Sequence, residues 1–481
     1  MPTLVQHVQT PNTGTTGGGT PTTFKIPLPN ETLAGNTIIA WVTAGQAASQ
    51  SVSCTDDKSN SYTLRQSDAG VSGGQGMWMF VCEAATAGAT YVTFTFTVGT
   101  TNFAGGVAEY YNVAASSVYE TGHAAHTSGA PTTSWAAGSF TTSNSGDLIY
   151  QAAVVSGNTN SMGAFSAGTS GLHLEAADRA DGSACQAGNQ GSAGAINPTI
   201  TAASNDYVSC AVALKSGSSG TAPSITPRVV HLQHSSPQTT SSSFTLQFPC
   251  SGDTLHISYV SGQTSTTGDI SSLSDSKSNT WTQPPHSPVS NGQGQGFYAK
   301  AAVTDYALTI TFTLTGAPSN AAQDAIFYDL IGVDQSSPVM TDAATTGNQA
   351  SGPANLTTVT VTPTAAAGLA IFVGDQDWDT MLDSVTDGNG HKPLWNEPTW
   401  GGQNEGGSPS GAGDVFTLDA MAACMRVTDT NAITLICQES AYGAALTWGA
   451  YGIIYKQAGA AAAPVPRDLP HSALQQSFIA S

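Results

Sequence analysis

The sequence predicts an all-β protein made of two tandem antiparallel β-sandwich domains, of jelly-roll or immunoglobulin-like type, followed by a C-terminal arm. Three observations lead to this prediction. The composition suits strands and turns, an internal repeat spans nearly the whole chain, and short segments alternate between apolar and hydroxyl side chains.

The composition disfavours helices. Only 9% of the 481 residues are charged, whereas glycine alone contributes 52. Helices draw on Glu, Lys, Arg and Leu, while strands and turns use Thr, Val, Tyr, Phe and Gly. Since one core rarely serves more than about 250 residues, we expect two domains.

The charge balance excludes several partners. Twelve Lys and Arg stand against 32 Asp and Glu, a net charge of −20, and no stretch gathers the basic residues into a patch. Nucleic-acid binding and attachment to anionic lipid are therefore not expected, and no run of about 18 apolar residues predicts membrane insertion. Residues 1–7 lack the pattern of a Sec signal peptide, which favours another route of release, such as lysis.

The repeat is carried by matched segments in the two halves. Residues 24–29 match 244–249, 35–39 match 252–256, 56–62 match 275–281, and 109–113 match 329–333; His7 is aligned with His231. These matches predict a first sandwich over 1–216, a Ser/Gly/Pro linker over 217–227, and a second sandwich over 228–457; residues 216–223 offer no apolar anchor.

Alternation identifies strands within each copy. Residues 92–98 and 308–314 place an apolar side chain at every second position, with threonine between. A period of two predicts a strand with one buried face.

The tail, residues 458–481, departs from both copies. Leu474 and Phe478 are four residues apart, on one side of a short helix capped by Ser472, and Ile479 follows them. This spacing predicts an apolar tip that docks on the chain itself or on a neighbouring subunit. The alternative is a disordered terminus.

The repeated motifs resemble those of a known module. Gly-Asn/Asp-Thr-aliphatic, Asp-x-Lys-Ser-Asn-x-aromatic, a threonine-alternating strand and Glu/Asp followed later by Ser-Ser look like a β-sandwich module of bacterial surface proteins and phage virion proteins. The resemblance covers nearly both copies and carries no catalytic residue. It implies a binding or scaffold role.

The Asp-x-Lys-Ser-Asn-x-aromatic segments allow two interpretations. The carboxylate and amide could bind a cation, and Tyr62 or Trp281 could stack on a sugar. The favoured interpretation is a hairpin turn, because Asp caps backbone N–H groups and Asn tolerates positive φ.

Asp375, Asp377 and Asp379 have the alternate spacing of a calcium loop. Thr380 stands where that loop needs glycine, and Thr386 stands where it needs a bidentate glutamate. An exposed acidic loop is the favoured interpretation; calcium is the only cofactor that any pattern suggests.

Seven cysteines give three candidate disulfides. Cys424 and Cys437 flank a predicted hairpin turn symmetrically, and Cys54 with Cys82 and Cys185 with Cys210 are the other candidates. Buried free thiols are the alternative, since free cysteine packs as a small apolar residue.

No pattern predicts catalysis. His123 and His126 lack the glutamate of a zinc hydrolase, and no nucleophile has a base beside it in the sequence. We therefore expect a non-enzymatic structural component of an extracellular assembly, most specifically a phage virion protein: a head decoration, fibre or tail component, or a double jelly-roll capsid subunit. Its expected partners are further copies of itself or other virion proteins.

The alternative is a secreted bacterial adhesin or carbohydrate-binding protein, outside the cell or on its surface. Such a protein would bind surface glycans by stacking their sugar rings on tryptophans in loops. The candidates are Trp78, Trp281, Trp378 and Trp395.

Overall fold

The fold is taken from a computed structural model. It describes residues 1–459 except 14–21, 46–49, 71–73, 100–102, 157–164, 179–181, 235–240, 262–267, 288–294, 318–322, 350–354, 378–381, 388–394, 397–417, 428 and 440–445. No helix in these residues is long and apolar enough to cross a membrane.

Each copy of the repeat forms two successive units of strands. Unit 1 holds β1 (Thr3–Thr13), β2 (Thr23–Pro27), β3 (Thr37–Gly45), β4 (Val52–Asp56), β5 (Tyr62–Asp68), β6 (Gln75–Cys82), β7 (Tyr91–Phe96) and β8 (Phe103–Tyr111). Unit 2 holds β9 (Tyr119–His126), β10 (Thr132–Ala136), β11 (Phe140–Thr142), β12 (Leu148–Val155), β13 (Ser166–Ala167), β14 (His173–Asp178), β15 (Ser183–Asn189), β16 (Gly194–Ile196), β17 (Thr199–Asn205) and β18 (Tyr207–Leu214).

The second copy repeats this plan. Unit 3 holds β19 (Thr226–His234), β20 (Ser243–Cys250), β21 (Thr254–Ser261), β22 (Ile270–Asp275), β23 (Gln295–Ala299), β24 (Asp305–Leu314) and β25 (Gln323–Ile331). Unit 4 holds β26 (Val339–Gln349), β27 (Asn355–Val361), β28 (Gly368–Asp377), β29 (Leu382–Asp387), β30 (Trp395–Asn396), β31 (Leu418–Val427), β32 (Ile433–Glu439) and β33 (Leu446–Lys456). The all-β sandwich class is confirmed.

One nine-stranded sheet joins the two copies, in the order β23-β21-β25-β19-β1-β8-β3-β6-β5. At its centre the equivalent strands β1 and β19 pair in parallel, with His7 opposite Arg228. Because equivalent strands follow outward on both sides, an approximate two-fold axis runs along the strands. This axis exchanges the two faces of the sheet.

The two faces carry interleaved layers. One apolar core contains Ile26 and Phe94 of unit 1 together with Ile371 and Ile453 of unit 4. On the opposite face, the five-stranded sheet β14-β15-β12-β18-β9 of unit 2 packs on unit 1, and the three-stranded sheet β20-β24-β22 packs on unit 3. Each copy therefore helps to cover the shared sheet beside the other copy.

The predicted alternation is confirmed from Val92 to Phe96 and from Leu308 to Leu314, whereas Val98 lies beyond β7 and is exposed. Val92, Phe94 and Phe96 are buried along β7, and their threonine neighbours are more exposed. Strand β24 behaves in the same way from Leu308 to Leu314. Apolar contact across the two layers fixes which face points inward.

Strand register confirms one alignment of the repeat and corrects another. Ile38 pairs with Glu109 as Leu255 pairs with Asp329, as the sequence match requires. In the first strands, however, Gln6 pairs with Glu109 and Arg228 pairs with Asp329. The equivalence of His7 and His231 is therefore wrong, and Gln6 corresponds to Arg228. A bulge between Leu4 and Gln6 adds one unpaired residue.

The connector between the copies does have an apolar anchor. Ile225 is buried in the core shared by units 1 and 4. Before it, Ser219 exchanges backbone hydrogen bonds with Asn112 and Val113, and the Thr221 amide donates to Asn36. The predicted boundaries at 216 and 228 stay a prediction, because the copies share a sheet and this segment lies along unit 1.

Candidate functional site: a buried polar cluster between the copies

A chain of polar side chains lies between the nine-stranded sheet and unit 2. His7 Nε2 is 3.2 Å from the hydroxyl of Tyr150, and Trp41 Nε1 donates to the same hydroxyl over 3.1 Å. All three side chains are fully buried. Burial lowers the pKa of His7 to about 4, with Glu175 opposing that shift and Arg228 adding to it. His7 is therefore neutral near pH 7.

Glycine makes room for this arrangement. A Cβ atom on Gly106 would lie 2.5 Å from Trp41 Nε1. Only a residue without a side chain lets strand β8 pass that close to the indole. The indole can then reach across to Tyr150.

A thiol and a carboxamide meet beside Tyr150. Cys185 Sγ lies 2.8 Å from Gln9 Oε1, and Gln9 Nε2 donates to Ser183 Oγ over 2.9 Å. Cys185 is fully buried, and burial raises the pKa of its thiol, while the nearby Tyr150 hydroxyl acts to lower it.

An ion cluster continues the chain into unit 3. Arg228 Nη2 is 2.7 Å from Asp329 Oδ2, and Arg228 Nη1 is 3.2 Å from Glu175 Oε2. His173 Nε2 lies 2.8 Å from Glu175 Oε1, and its ring stacks on Tyr306 at 4.1 Å. Strand β14 of copy 1 is thereby tied to β19 and β25 of copy 2.

The pKa values follow from this pairing. Burial would raise the pKa of Glu175, but Arg228 and His173 outweigh it and hold that pKa well below its usual range. Burial would lower the pKa of Arg228, yet Glu175 and Asp329 raise it. The guanidinium therefore stays charged in the interior.

The equivalent place in copy 1 uses amides in place of a cation. Glu109 accepts from Gln6 Nε2 at 2.6 Å, Asn36 Nδ2 at 2.6 Å and the Leu33 amide at 2.8 Å. Burial raises the pKa of Glu109, and these three hydrogen bonds act against that rise. Both copies thus bury a carboxylate at this register and pair it with the first strand.

The cavity beside this cluster is small. Its volume is about 10 Å³, and His173, Glu175 and Tyr110 are among its lining residues. Such a volume holds roughly one water molecule. The cluster has no room beside it for a substrate.

The two Asp-x-Lys-Ser-Asn-x-aromatic segments are turns, but the first is not the predicted hairpin turn, because β4 and β5 on either side of it belong to different sheets. Asp56 Oδ1 accepts from the amides of Lys58 and Asn60, and its Oδ2 accepts from Asn60 Nδ2 and the Tyr62 hydroxyl. The positive φ falls on Ser59, at 58°, and not on the asparagine. Both carboxylate oxygens of Asp56 therefore accept hydrogen bonds from within the turn.

In the second copy, Asp275 accepts from the amides of Lys277 and Asn279 and from Trp281 Nε1. Trp281 is half-buried and packs against the core of unit 3. Its indole N–H is engaged by the turn. A ring held in this way supports the turn whether or not a sugar stacks on it.

Replacing Asp56 by alanine is expected to lower the free energy of unfolding by about 2 kcal/mol, since four donors lose their acceptor. Urea denaturation measures the loss, and the exposed Lys58→Ala is the control. Added calcium should leave wild-type stability unchanged; calcium stabilisation that disappears in Asp56→Ala would restore the cation interpretation.

The other three tryptophans that were candidates for glycan stacking differ in their positions. Trp78 is buried in the core of unit 1, so the prediction that it stacks on a glycan is wrong. Its place on the inward face of β6 explains the error. Trp378 lies outside the described residues, and for Trp395 only the backbone, within β30, is described.

Neither the calcium loop nor the favoured acidic loop is formed at Asp375 and Asp377. Asp375 and Asp377 belong to β28, where they pair with Ala420 and Leu418, while Asp379 lies outside the described residues. Extended backbone does not wrap an ion as a loop does. Among described residues, no group of three or more His, Cys, Asp or Glu could hold a metal.

The predicted disulfides are not formed; the candidate cysteines whose side chains are described are free thiols. Cys424 lies in the five-stranded sheet of unit 4, whereas Cys437 lies in the three-stranded sheet, so they do not face each other across a hairpin. Cys185 and Cys210 flank Ala152 on the two neighbours of β12. Two strand spacings, about 9.6 Å, exceed disulfide reach.

Cys54 and Cys82 belong to facing sheets of unit 1, around one core. Burial raises the pKa of both thiols.

The predicted docking residues Leu474, Phe478 and Ile479 lie outside the described residues.

Sequence reasoning missed most of the cluster. His7 was noticed only through its misaligned match, and Gln9, Tyr150 and Glu175 carried no motif. The available signal was Arg228, a lone cation in the apolar run that opens the second copy. A charge at such a place predicts a buried acidic partner.

Comparison with known proteins gives no family. No family model matches the chain, and no curated protein matches it. Among solved structures, the major capsid protein of bacteriophage PM2 is 12% identical over 49% of this chain and 100% of its own, with a TM-score of 0.16. A Bacillus licheniformis lipase in propeptide form is 9% identical over 42% and 40%, at 0.15, and the mavirus major capsid protein is 8% identical over 71% and 87%, at 0.17. At such TM-scores none of these likenesses carries an argument.

Proposed function

We propose that this chain is a non-enzymatic structural component of an extracellular assembly, most specifically a phage virion protein such as a head decoration, fibre or tail component or a capsid subunit. The observation that carries the proposal is the nine-stranded sheet shared by the two copies. A continuous sheet covered on both faces by interleaved layers makes the tandem repeat one body. A rigid body of this kind suits a building block.

The buried ions support the same proposal. Arg228, Glu175 and Asp329 are all shielded from solvent, and the one guanidinium contacts both carboxylates. Charges that pair in the interior fix how units 2 and 3 sit together. Their adjoining cavity of about 10 Å³ favours a structural role over a catalytic one.

The surface composition fits repeated protein contacts. With 9% charged residues and a net charge of −20, the chain relies on hydroxyl, amide and small side chains. Such surfaces form interfaces without the cost of removing many charges from water. Further copies or other virion proteins are the proposed partners.

The test compares full-length protein with a variant truncated after Lys456. Light scattering and negative-stain microscopy report oligomeric state and morphology. We expect assembly with the tail and its loss without it. A control that keeps the tail's length but changes Leu474, Phe478 and Ile479 to serine should behave like the truncation.

A monomer at every concentration for all three proteins would contradict the proposal. A glycan array is then the deciding experiment for the adhesin alternative. Binding that is lost on changing Trp281 to alanine, in a variant with unchanged unfolding, would favour the carbohydrate-binding function.

A further inference from the structure

The contact between Cys185 and Gln9 is unusually close. Its sulfur–oxygen distance is 2.8 Å, against 3.3 Å for Cys250 Sγ to the Val303 carbonyl and 4.0 Å for Cys210 Sγ to the Met77 carbonyl. A carbonyl bond is about 1.23 Å, so Cys185 Sγ is at most about 4 Å from the Gln9 carboxamide carbon. The thiol is therefore placed beside an acyl carbon.

Polar groups also stand near the thiol. Burial raises the pKa of the Cys185 thiol, and the nearby Tyr150 hydroxyl acts to lower it. The same hydroxyl accepts from Trp41 Nε1 at 3.1 Å and lies 3.2 Å from His7 Nε2. Burial holds the pKa of His7 near 4, so this imidazole does not take up the thiol proton. The departing carboxamide nitrogen is the destination of that proton.

The carboxamide is held for attack. Gln9 Nε2 donates to Ser183 Oγ at 2.9 Å and lies 3.4 Å from the Ser183 carbonyl. Its oxygen consequently faces Cys185. Both side chains are at most 1% exposed, so water does not compete for the acyl carbon.

We propose that Cys185 and Gln9 join in an internal thioester. The sulfur attacks the Gln9 carboxamide carbon, the thiol proton passes to the carboxamide nitrogen, and a tetrahedral intermediate forms. That intermediate collapses with cleavage of the carbon–nitrogen bond, and the nitrogen leaves as ammonia. One S–H and one C–N bond break, one S–C and one N–H bond form, and no oxidant is needed.

The bond links distant parts of copy 1. Gln9 lies in β1 of the shared sheet and Cys185 in β15 of unit 2, 176 residues apart. A thioester there fixes one layer on the other without depending on the redox state of the compartment. Burial protects it from hydrolysis.

Copy 2 has changed the whole set at once. Register aligns β1 with β19, β12 with β28, and β15 with β31. The equivalents of Gln9, Tyr150, Ser183 and Cys185 are His231, Ile371, Ala420 and Ala422. Joint replacement is expected of groups that act on one another, and copy 2 therefore forms no such bond.

The test is the intact mass of the denatured, full-length chain. We expect a deficit of about 17 Da, the mass of ammonia, and a cross-linked peptide that contains both Gln9 and Cys185. Hydroxylamine in denaturant should cleave it and free a thiol. Cys185→Ala and Gln9→Glu should abolish the deficit, whereas Cys210→Ala, a second buried thiol beside β12, should retain it.

Tyr150→Phe tests whether the hydroxyl that acts to lower the pKa of the thiol speeds the reaction. It keeps the ring and removes the hydroxyl, so we expect a smaller cross-linked fraction in freshly purified protein that rises with incubation time. A wild-type chain of full mass, whose Cys185 is alkylated after denaturation without hydroxylamine, would overturn the proposal. That outcome leaves the assembly test unaffected, because the mass is measured on the unfolded chain.

Discussion

Replacing Arg228 by methionine is expected to lower the free energy of unfolding by about 3–5 kcal/mol, because it leaves buried carboxylates uncompensated. Arg228 is fully buried, contacts Asp329 at 2.7 Å and Glu175 at 3.2 Å, and donates to the Leu174 carbonyl at 3.1 Å. Methionine has similar length but offers no donor. Urea denaturation at pH 7 measures the loss.

Two matched variants distinguish the loss of a buried charge from other effects of the substitution. Arg228→Gln mimics Gln6, which serves Glu109 at the equivalent register, so it should cost less than Arg228→Met. Arg65→Met removes a partly exposed pair with Glu83 and should cost less than about 1 kcal/mol. Equal losses for all three would contradict a special role for Arg228.

The fold class could be predicted because its signals are local. The alternation in β7 and β24 depends only on neighbouring positions, and the segments 35–39 and 252–256 match without insertion. The shared sheet could not be predicted in the same way. Parallel pairing of β1 with β19 joins strands more than 200 residues apart, and no turn fixes their register.

The polar cluster escaped prediction for a related reason. His7 and Tyr150 are 143 residues apart, and Gln9 and Cys185 are 176 apart. In the first strands, residue identity aligns His7 with His231, whereas backbone pairing makes Gln6 equivalent to Arg228. The two alignments differ in register, and this difference hid the equivalence of Gln6 and Arg228.

The approximate two-fold axis relates two sets of buried charges between an outer unit and the shared sheet. Unit 2 places Glu175 against Arg228 in unit 3. Unit 4 places Arg426 near Glu109 in unit 1; burial lowers the pKa of Arg426, and Glu109 acts to raise it. The sign of the charge contributed by the outer unit is reversed between the copies. Each outer unit therefore recognises the opposite copy electrostatically.

Lowering the pH from 7 to 5 is expected to destabilise the protein through two buried histidines. Burial lowers the pKa of His7 to about 4 and that of His256 to about 3, against an unfolded value near 6.5. At a pH between the folded and the unfolded pKa values, these histidines bind protons in the unfolded chain and stay neutral in the folded chain. Stability is therefore complete above about pH 6.5 and falls on acidification, by about 2 kcal/mol per histidine at pH 5.

The acids with shifted pKa values act in other ways. Burial raises the pKa of Glu109, so this group favours folding on acidification and offsets part of the loss. The pKa of Glu175 is held low, so its contribution is lost only below about pH 4.5. A difference between variants isolates the histidines from both.

His256→Gln is the decisive variant. His256 Nδ1 lies 2.8 Å from the Tyr455 hydroxyl and Nε2 lies 2.8 Å from Ser258 Oγ, and an amide can meet similar partners without titrating. Its loss of unfolding free energy between pH 7 and 5 should be about 2 kcal/mol smaller than that of wild type. His286→Gln, at a side chain 60% exposed, should keep the wild-type slope. Parallel pH profiles for wild type and His256→Gln would mean that His256 does not resist protonation in the folded state, and the acid sensitivity would then have to come from elsewhere in the chain.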